Sequence, residues 1–463
     1  MMMLSQVAQA TGGKLLPDPR TMAGDTTVSG VSSDSRKVEQ GDLFIALRGE
    51  HFDGYAFVGI AAEAGAAAAM VNEDSCQVTQ QKAGDAAIPL VLVDDTRLAL
   101  GRLAAWWRSR FSIPVVAITG SNGKTTVKEM LASILREASG SAEAVLATRG
   151  NLNNDIGMPL TLLRMNAAHR YAVIEMGMNH PGEIDYLTRI AAPDVALINN
   201  ASGAHLEGLG SVEAVAQAKG EIFAGLRHHG TAVINSDDSH AHIWRNLAGA
   251  HPLLEFGLNA NADVSGTWHP LGAGLRLDVT APQGMFAADL QVPGAHNALN
   301  ALAATAAATV LNIPLETIAA GLEKFSGVSG RLQRKPALHG ASLIDDTYNA
   351  NPSSMRAAIS VLAQATGKRI LVLGDMGELG GEAANFHAEI GAEARSAGIE
   401  KLYALGELSV NTVREFGSGA QHFAQIEDLL NALEEELDAN TTVLVKGSRF
   451  MKMERVVEHF TLH

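Results

Sequence analysis

The sequence is short of the features that would place it outside a cell or in a membrane. Its single cysteine, Cys76, rules out any intrachain disulfide, which fits a reducing compartment and makes a cytoplasmic setting the expectation. Long apolar runs are missing too. The most apolar stretches, 61–71 and 298–311, are alanine-rich and shorter than the ~20 residues a membrane span needs. Both predict buried helices and no membrane span. Residues 1–11 lack a basic segment followed by an apolar one, so no signal peptide is expected. Positive charge is scarce as well, with 35 Lys and Arg against 50 Asp and Glu for a formal net charge of −15. No basic stripe is visible, so no nucleic-acid partner is expected. An anionic substrate must then be held locally, by loop amides, a few Lys and Arg, and bound Mg²⁺.

What is present suits a globular chain. Hydrophobic residues make up 47% of the 463, and at roughly 150 residues per domain three domains are expected. The first block, 1–110, carries short strands at 42–47 and 90–93 and a helix at 97–111. The second, 111–328, alternates strands at 115–119, 171–176, 195–199 and 231–235 with helices, the pattern of a doubly wound, mostly parallel sheet. Residues 263–292 alternate at period two and predict a small antiparallel addition. The third block, 329–463, repeats the alternation and predicts a Rossmann-like α/β unit. The fold class expected is therefore α/β in three domains, the N-terminal one the smallest.

The sharpest local signal lies at 115–126. A β-branched strand runs into Gly120-Ser121-Asn122-Gly123, and Lys124-Thr125-Thr126 opens a helix. The glycines let backbone amides approach phosphate oxygens, and the helix N-terminus adds a positive dipole end. Lys124 is positioned to neutralise terminal phosphates and Thr125 to ligate Mg²⁺. The pattern departs from the usual phosphate loop, since Ile118 stands where the first glycine is expected. ATP binding is the reading.

In an open parallel sheet, ligands collect beyond the carboxyl ends of the strands. Glu175 ends the strand at 171–176, His205 follows the strand at 195–199, and Lys219 lies in a helix at 212–226. Singly, each has a plainer reading: a solvated strand end, a surface histidine, a solvated helix face. Together with Thr125 they form a candidate metal set of hard oxygens with one imidazole.

Further segments, in order, extend the pattern across the chain. Ser33-Asp34-Ser35-Arg36 precedes a run ending at Arg48, then Phe52-Asp53-Gly54. An asparagine loop at 150–157 includes Asn151 and Asn154. His296-Asn297 and Asn300 open a later helix. Gly330-Arg331, Asp345-Asp346, Tyr348-Asn349, Asn351 and Val445-Lys446-Gly447-Ser448-Arg449 fall in the third block. With the phosphate loop these segments resemble the Mur ligase family of bacterial cell-wall enzymes, over essentially the whole chain. The stretch 345–355 is most similar to the MurF type within it, and the Asp-Asn-Pro-Arg motif of the MurE type is not found.

The resemblance implies an ATP-dependent, amide-forming ligase that adds D-alanyl-D-alanine to UDP-N-acetylmuramoyl-tripeptide through an acyl phosphate, acting as a monomer. It implies that Ser33, Asp34, Ser35, Arg36, Arg48, Asp53, Gly54, Asn151, Asn154, Tyr348, Asn349 and Asn351 touch substrate. It likewise implies that Gly120 to Thr126, Asn297, Asn300, Arg331 and Asp346 touch ATP. Lys124, His205 and Lys219 become the catalytic set, with Lys219 carbamylated so that a cation turns into an anionic Mg²⁺ ligand. A hinge is expected at 329–331, and His387 is a candidate base for the incoming amine. The rivals are a sister amide ligase (the MurE type or a folylpolyglutamate synthetase) and a nucleotide-binding module that does not ligate.

Overall fold

The computed structural model describes residues 1–16, 25–49, 52–75, 88–203, 206–258 and 261–461. Three sheets organise it. The N-terminal five-stranded sheet runs in the order Lys14–Leu16, Leu90–Val93, Ala68–Asn72, Asp42–Ile45, Gly30–Ser32, parallel except for its first pair. The central sheet has nine strands. Seven run parallel, from Val145–Ala147 through Tyr171–Glu175, Val115–Thr119, Val195–Ile198, Thr231–Asn235 and Leu253–Gly257 to Val264–Leu271, which also opens the addition below. The expected antiparallel addition joins the far edge as a meander of Val264–Leu271, Gly274–Ala281 and Gly284–Leu290. The third sheet orders Gln333–Pro336, Ser342–Asp346, Thr441–Lys446, Lys368–Gly374, Lys401–Leu405, Ala420–Phe423, and only its first pair is antiparallel.

The strand Val115–Thr119 is fully buried, and its alternate side chains face opposite layers, as a pleated strand requires. Val116 and Ile118 pack with the helices Lys124–Ser139 and Ala295–Val310. Val115 and Ala117 face a core shared with the N-terminal unit. That shared core is filled by Ala99, Leu100, Leu103, Ala104 and Trp107 of the helix Thr96–Arg108. The helix therefore lies between the first two sheets and fixes where the N-terminal strands point.

Residues 298–311 form the expected buried helix, as most of Ala295–Val310. Residues 61–71 do not. They span the end of the short helix Val58–Glu63, a turn and the strand Ala68–Asn72. Gly65 makes the break at φ +104°, where an added Cβ would meet Gln40 Oε1 at 2.4 Å. Within 329–331, where the hinge is expected, Gly330 takes φ +71°, and Leu332 follows at φ +52° just before the third sheet begins. No helix among the described residues is long and apolar enough to cross a membrane.

Candidate nucleotide and ligation site

The loop after Val115–Thr119 is pinned to the end of the neighbouring strand. Ser121 N donates to Asn200 O at 3.0 Å, and Asn122 N donates to Asn200 Oδ1 at 2.9 Å. Asn199 Nδ2 donates both to Asn122 O and to Asn300 Oδ1, each at 2.9 Å. Gly123 caps the helix Lys124–Ser139 at φ +77°. A Cβ there would lie 2.4 Å from Asn300 Oδ1 and 2.5 Å from Asn199 Nδ2, so only glycine satisfies both the dihedral and the space. Lys124 curls back over the loop, donating to Gly120 O at 2.6 Å. Burial lowers its pKa, with Glu175 opposing and Arg331 adding to the fall. Loop amides at a helix N-terminus, with a lysine folded across them, make an anion cradle.

Glu175 is 2% exposed. Its Oε2 accepts from Thr125 Oγ1 at 2.9 Å and its Oε1 from Asn153 Nδ2 at 2.8 Å, while its own N–H donates to Thr148 Oγ1 at 2.9 Å. It is no solvated strand end. Lys219 is no solvated helix face either, being 2% exposed. Burial first, and the nearby Lys124 second, hold its amine well below the usual lysine range. His205 lies outside the described residues. Among the described residues no three His, Cys, Asp or Glu side chains gather as a metal site. The Thr125–Glu175 oxygens remain the place where a hard cation fits.

The third sheet faces this loop. Arg331 Nη2 donates to Thr125 Oγ1 at 3.0 Å, and Asn351 Nδ2 donates to Asn122 Oδ1 at 2.8 Å. Arg331 also lies over the Tyr348 ring, 4.2 Å from its centroid. Asp346 accepts from Lys446 Nζ at 2.6 Å and from Leu332 N at 3.2 Å. Burial pushes its carboxyl up, with Lys446 and Arg331 pulling against that. Asn349 Oδ1 accepts from Ala350 N at 2.9 Å. At the first turn of Ala295–Val310, Asn300 Nδ2 donates to Asn297 Oδ1 at 3.3 Å. His296 beside them has a buried Nε2 with no hydrogen-bond partner among the described residues, and its pKa falls to about 4 through burial and the neighbouring Lys446. The loop from Ser121 to Lys124, Glu175, the start of Ala295–Val310 and these third-sheet residues line one cleft of about 1560 Å³, whereas Thr125 and Lys219 sit behind its wall and do not line it.

The N-terminal segments are grouped at a different sheet edge. Asp34 caps the turn Ser35–Lys37 and pairs with Arg36 through Nε and Nη2, both at 2.9 Å. That pairing lowers the Asp34 pKa to about 2. Arg48 and Asp53 pair through their backbones in an isolated antiparallel bridge, and the Asp53 carboxylate accepts from Ser75 Oγ at 2.6 Å and Tyr55 N at 2.9 Å. Gly54 sits where a Cβ would strike Leu47 O at 2.6 Å. Ser33 to Arg36, and Arg48, Asp53 and Gly54, follow adjacent parallel strands, at their carboxyl ends, and none of these residues lines the cleft. The asparagine loop connects the two places. Asn151, Asn153 and Asn154 line the cleft, while the helix after them, Gly157–Leu163, packs against Gly30–Ser32. Asn154 Oδ1 accepts from Gly157 N at 2.8 Å and so shapes its own loop.

His387 is not drawn into the site. It is 2% exposed, with Nε2 accepting from Met376 N at 3.0 Å and Nδ1 donating to Ala383 O at 2.7 Å. Both ring nitrogens are committed to backbone, which removes it as a base for the amine. Conversely, Asn153 and Lys446, quoted only as members of motifs, and Asn199 and Asn200 carry contacts to which the sequence reading assigned no role. An apolar strand interrupted by a terminal lysine, as in Thr441–Lys446, is the signal that would have exposed Lys446, because a buried ammonium requires a counter-charge.

Fold and cleft define a three-unit α/β protein of the phosphate-loop class. The chain matches three family descriptions in order: Mur ligase family, catalytic domain, over residues 27–108; Mur ligase middle domain over 118–308; and Mur ligase, glutamate ligase domain, over 330–449. It is 42% identical over 458 residues to the UDP-N-acetylmuramoyl-tripeptide–D-alanyl-D-alanine ligase of Escherichia coli (strain K12), covering 98% of this chain and 97% of that one. Among solved structures it is similar to MurF from Acinetobacter baumannii, with TM-score 0.89, 37% identity, and 98% and 97% of the two chains covered. It is also similar to MurF ligase from Thermotoga maritima in complex with ADP, with TM-score 0.81, 26% identity, and 94% and 98% covered. The chain belongs to the Mur ligase family.

Proposed function

We propose that this chain joins D-alanyl-D-alanine to UDP-N-acetylmuramoyl-tripeptide at the expense of ATP, releasing ADP and phosphate, in peptidoglycan precursor synthesis. The observation that carries the reading is the shared cleft, where the phosphate loop, buried Glu175 and Arg331 of the third sheet meet. A carboxylate is a poor electrophile, and phosphorylation supplies it with a leaving group. The obstacle is repulsion between two anions, which positioned cations and dipoles relieve.

Loop amides and Lys124 hold the terminal phosphates, and Asn297, Asn300 and Asp346 hold the rest of the nucleotide. Thr125 and Glu175 offer hard oxygen donors 2.9 Å apart at a helix N-terminus, a set that suits Mg²⁺. Mg²⁺, if held there, would neutralise part of the negative charge of the reacting phosphate and carboxylate. The Lys219 amine, pushed well below the usual lysine range by burial, would add CO₂ and lose a proton to become a carbamate, which with His205 would offer a second oxygen and imidazole set. Arg331 closes over the phosphates from the third sheet and excludes water from the acyl phosphate. The segments Ser33–Arg36 and Arg48–Gly54 take the UDP end, and the asparagine loop leads the peptide towards Glu175. One chain supplies both cleft walls, so the working unit is a monomer, and ATP as energy source fits a cytoplasmic site.

The test is phosphate release with UDP-N-acetylmuramoyl-tripeptides, with and without D-alanyl-D-alanine. Release that depends on both supports the reading. Equal ATP turnover without an amine, or turnover with glutamate, lysine or diaminopimelate but not the dipeptide, defeats it. In the same assay Lys124→Ala is expected to lose at least about a thousandfold in rate.

A further inference from the structure

Five Lys and Arg side chains line the cleft: Arg97, Lys124, Arg331, Lys446 and Arg449. Four are committed. Arg97 is held by both oxygens of Asp155, Lys124 by its own loop, Lys446 by Asp346, and Arg331 by Thr125. Arg449 differs. Its side chain is 65% exposed, and among the described residues its guanidinium makes one ion pair, Nη1 to Glu454 Oε1 at 3.2 Å. The guanidinium lies 6.0 Å from the Tyr348 ring centroid. Most of its donor fork points to no protein acceptor.

The loop that carries Arg449 is firmly seated. Ser448 N donates to Asp375 O at 3.0 Å, and Ser448 Oγ donates to Ala350 O at 3.2 Å while accepting from Gly377 N at 2.8 Å. Three loops at the carboxyl edge of the third sheet are thereby tied together, where ligands of open parallel sheets collect. The Phe450 ring beside Arg449 is 62% exposed, and a Cβ on Gly377 would lie 2.9 Å from it. Glu378 in the neighbouring loop holds a left-handed φ of +62°, a strained backbone of the kind that clusters at ligand sites.

On the function proposed above, the second reactant is a small zwitterion. Its amine goes to the acyl carbon at the phosphate-loop end of the cleft, two methyl groups follow, and a carboxylate trails. We propose that Arg449, steadied by Glu454, binds that terminal carboxylate through its unused N–H groups, with Phe450 against the methyl side chains. The ligase then requires an acceptor with a free carboxyl end. A planar fork matches a carboxylate in two parallel hydrogen bonds, and this pairing lies on the third sheet, away from the Lys124 loop.

The experiment compares D-alanyl-D-alanine with its C-terminal carboxamide on the unsubstituted enzyme and on Arg449→Ala. The expected result is about a 30-fold loss of kcat/KM for the carboxamide on the unsubstituted enzyme. Arg449→Ala should lose similarly for the acid and little more for the amide, with KM for ATP and for the UDP substrate unchanged within about twofold. Arg449→Lys should recover part of the preference for the acid. If Arg449→Ala still discriminates acid from amide as strongly as the unsubstituted enzyme, the proposal is overturned. Should the alanine variant not fold, Arg449→Gln carries the same comparison. Failure of the function itself shows separately, as no ligation of the dipeptide by the unsubstituted enzyme.

Discussion

Two buried groups set the chemistry at the residue scale. Lys219 is an amine sealed from water beside another lysine, an arrangement that favours its neutral form. Lys219→Ala is expected to abolish ligation and to regain part of it with added short-chain carboxylates, read as phosphate release; no recovery at any carboxylate concentration would remove the carbamate. His296 gives a pH dependence. Its folded pKa of about 4 lies below the ordinary histidine value of about 6.5, so between those values the unfolded chain binds more protons than the native one. Stability contributed by neutral His296 is present above pH 6.5 and is lost as pH falls towards 4. Urea unfolding at pH 7 and at pH 4.5 should show a larger loss for the unsubstituted chain than for His296→Gln.

The glycine at the head of Lys124–Ser139 is the most constrained point at the element scale. Gly123→Ala combines a left-handed dihedral with a clash against Asn199 and Asn300. It is expected to cost about 1–3 kcal/mol in denaturant unfolding and to weaken ATP binding more than it weakens the fold. Elements of this kind were also the easiest to see in the sequence. Val115–Thr119, Leu90–Val93, Val195–Ile198 and Thr231–Asn235 were all legible, because buried parallel strands are written as unbroken apolar runs. Gln333–Pro336 and Ala420–Phe423 were not. Both are edge strands with polar side chains, held by their partners' backbone rather than by a hydrophobic pattern. The alanine-rich run at 61–71 misled because alanine fits either structure, and Gly65 alone decides it. In the site, motif residues such as Lys124 and Glu175 were readable. The asparagine relay from Asn199 to Asn300 was not, since its members meet only after folding, 101 residues apart.

At the scale of the whole molecule, the two polar ties between phosphate loop and third sheet matter most. Arg331 to Thr125 and Asn351 to Asn122 join units more than 200 residues apart in sequence. Arg331→Ala combined with Asn122→Ala is expected to enlarge the radius of gyration of the nucleotide-free protein in small-angle scattering. The same pair of changes should slow ligation at least about tenfold. Unchanged scattering would mean that apolar contacts alone hold the units together.

These two ties also bear on how the chain can be recombined. Asn351 both caps the helix Pro352–Ala363 and grips Asn122, so one side chain belongs to two units at once. A chimera that borrowed its last 130 or so residues from a relative would inherit one half of each handshake. It would work only where the donor's hand fits the host's loop, whatever the quality of either unit alone.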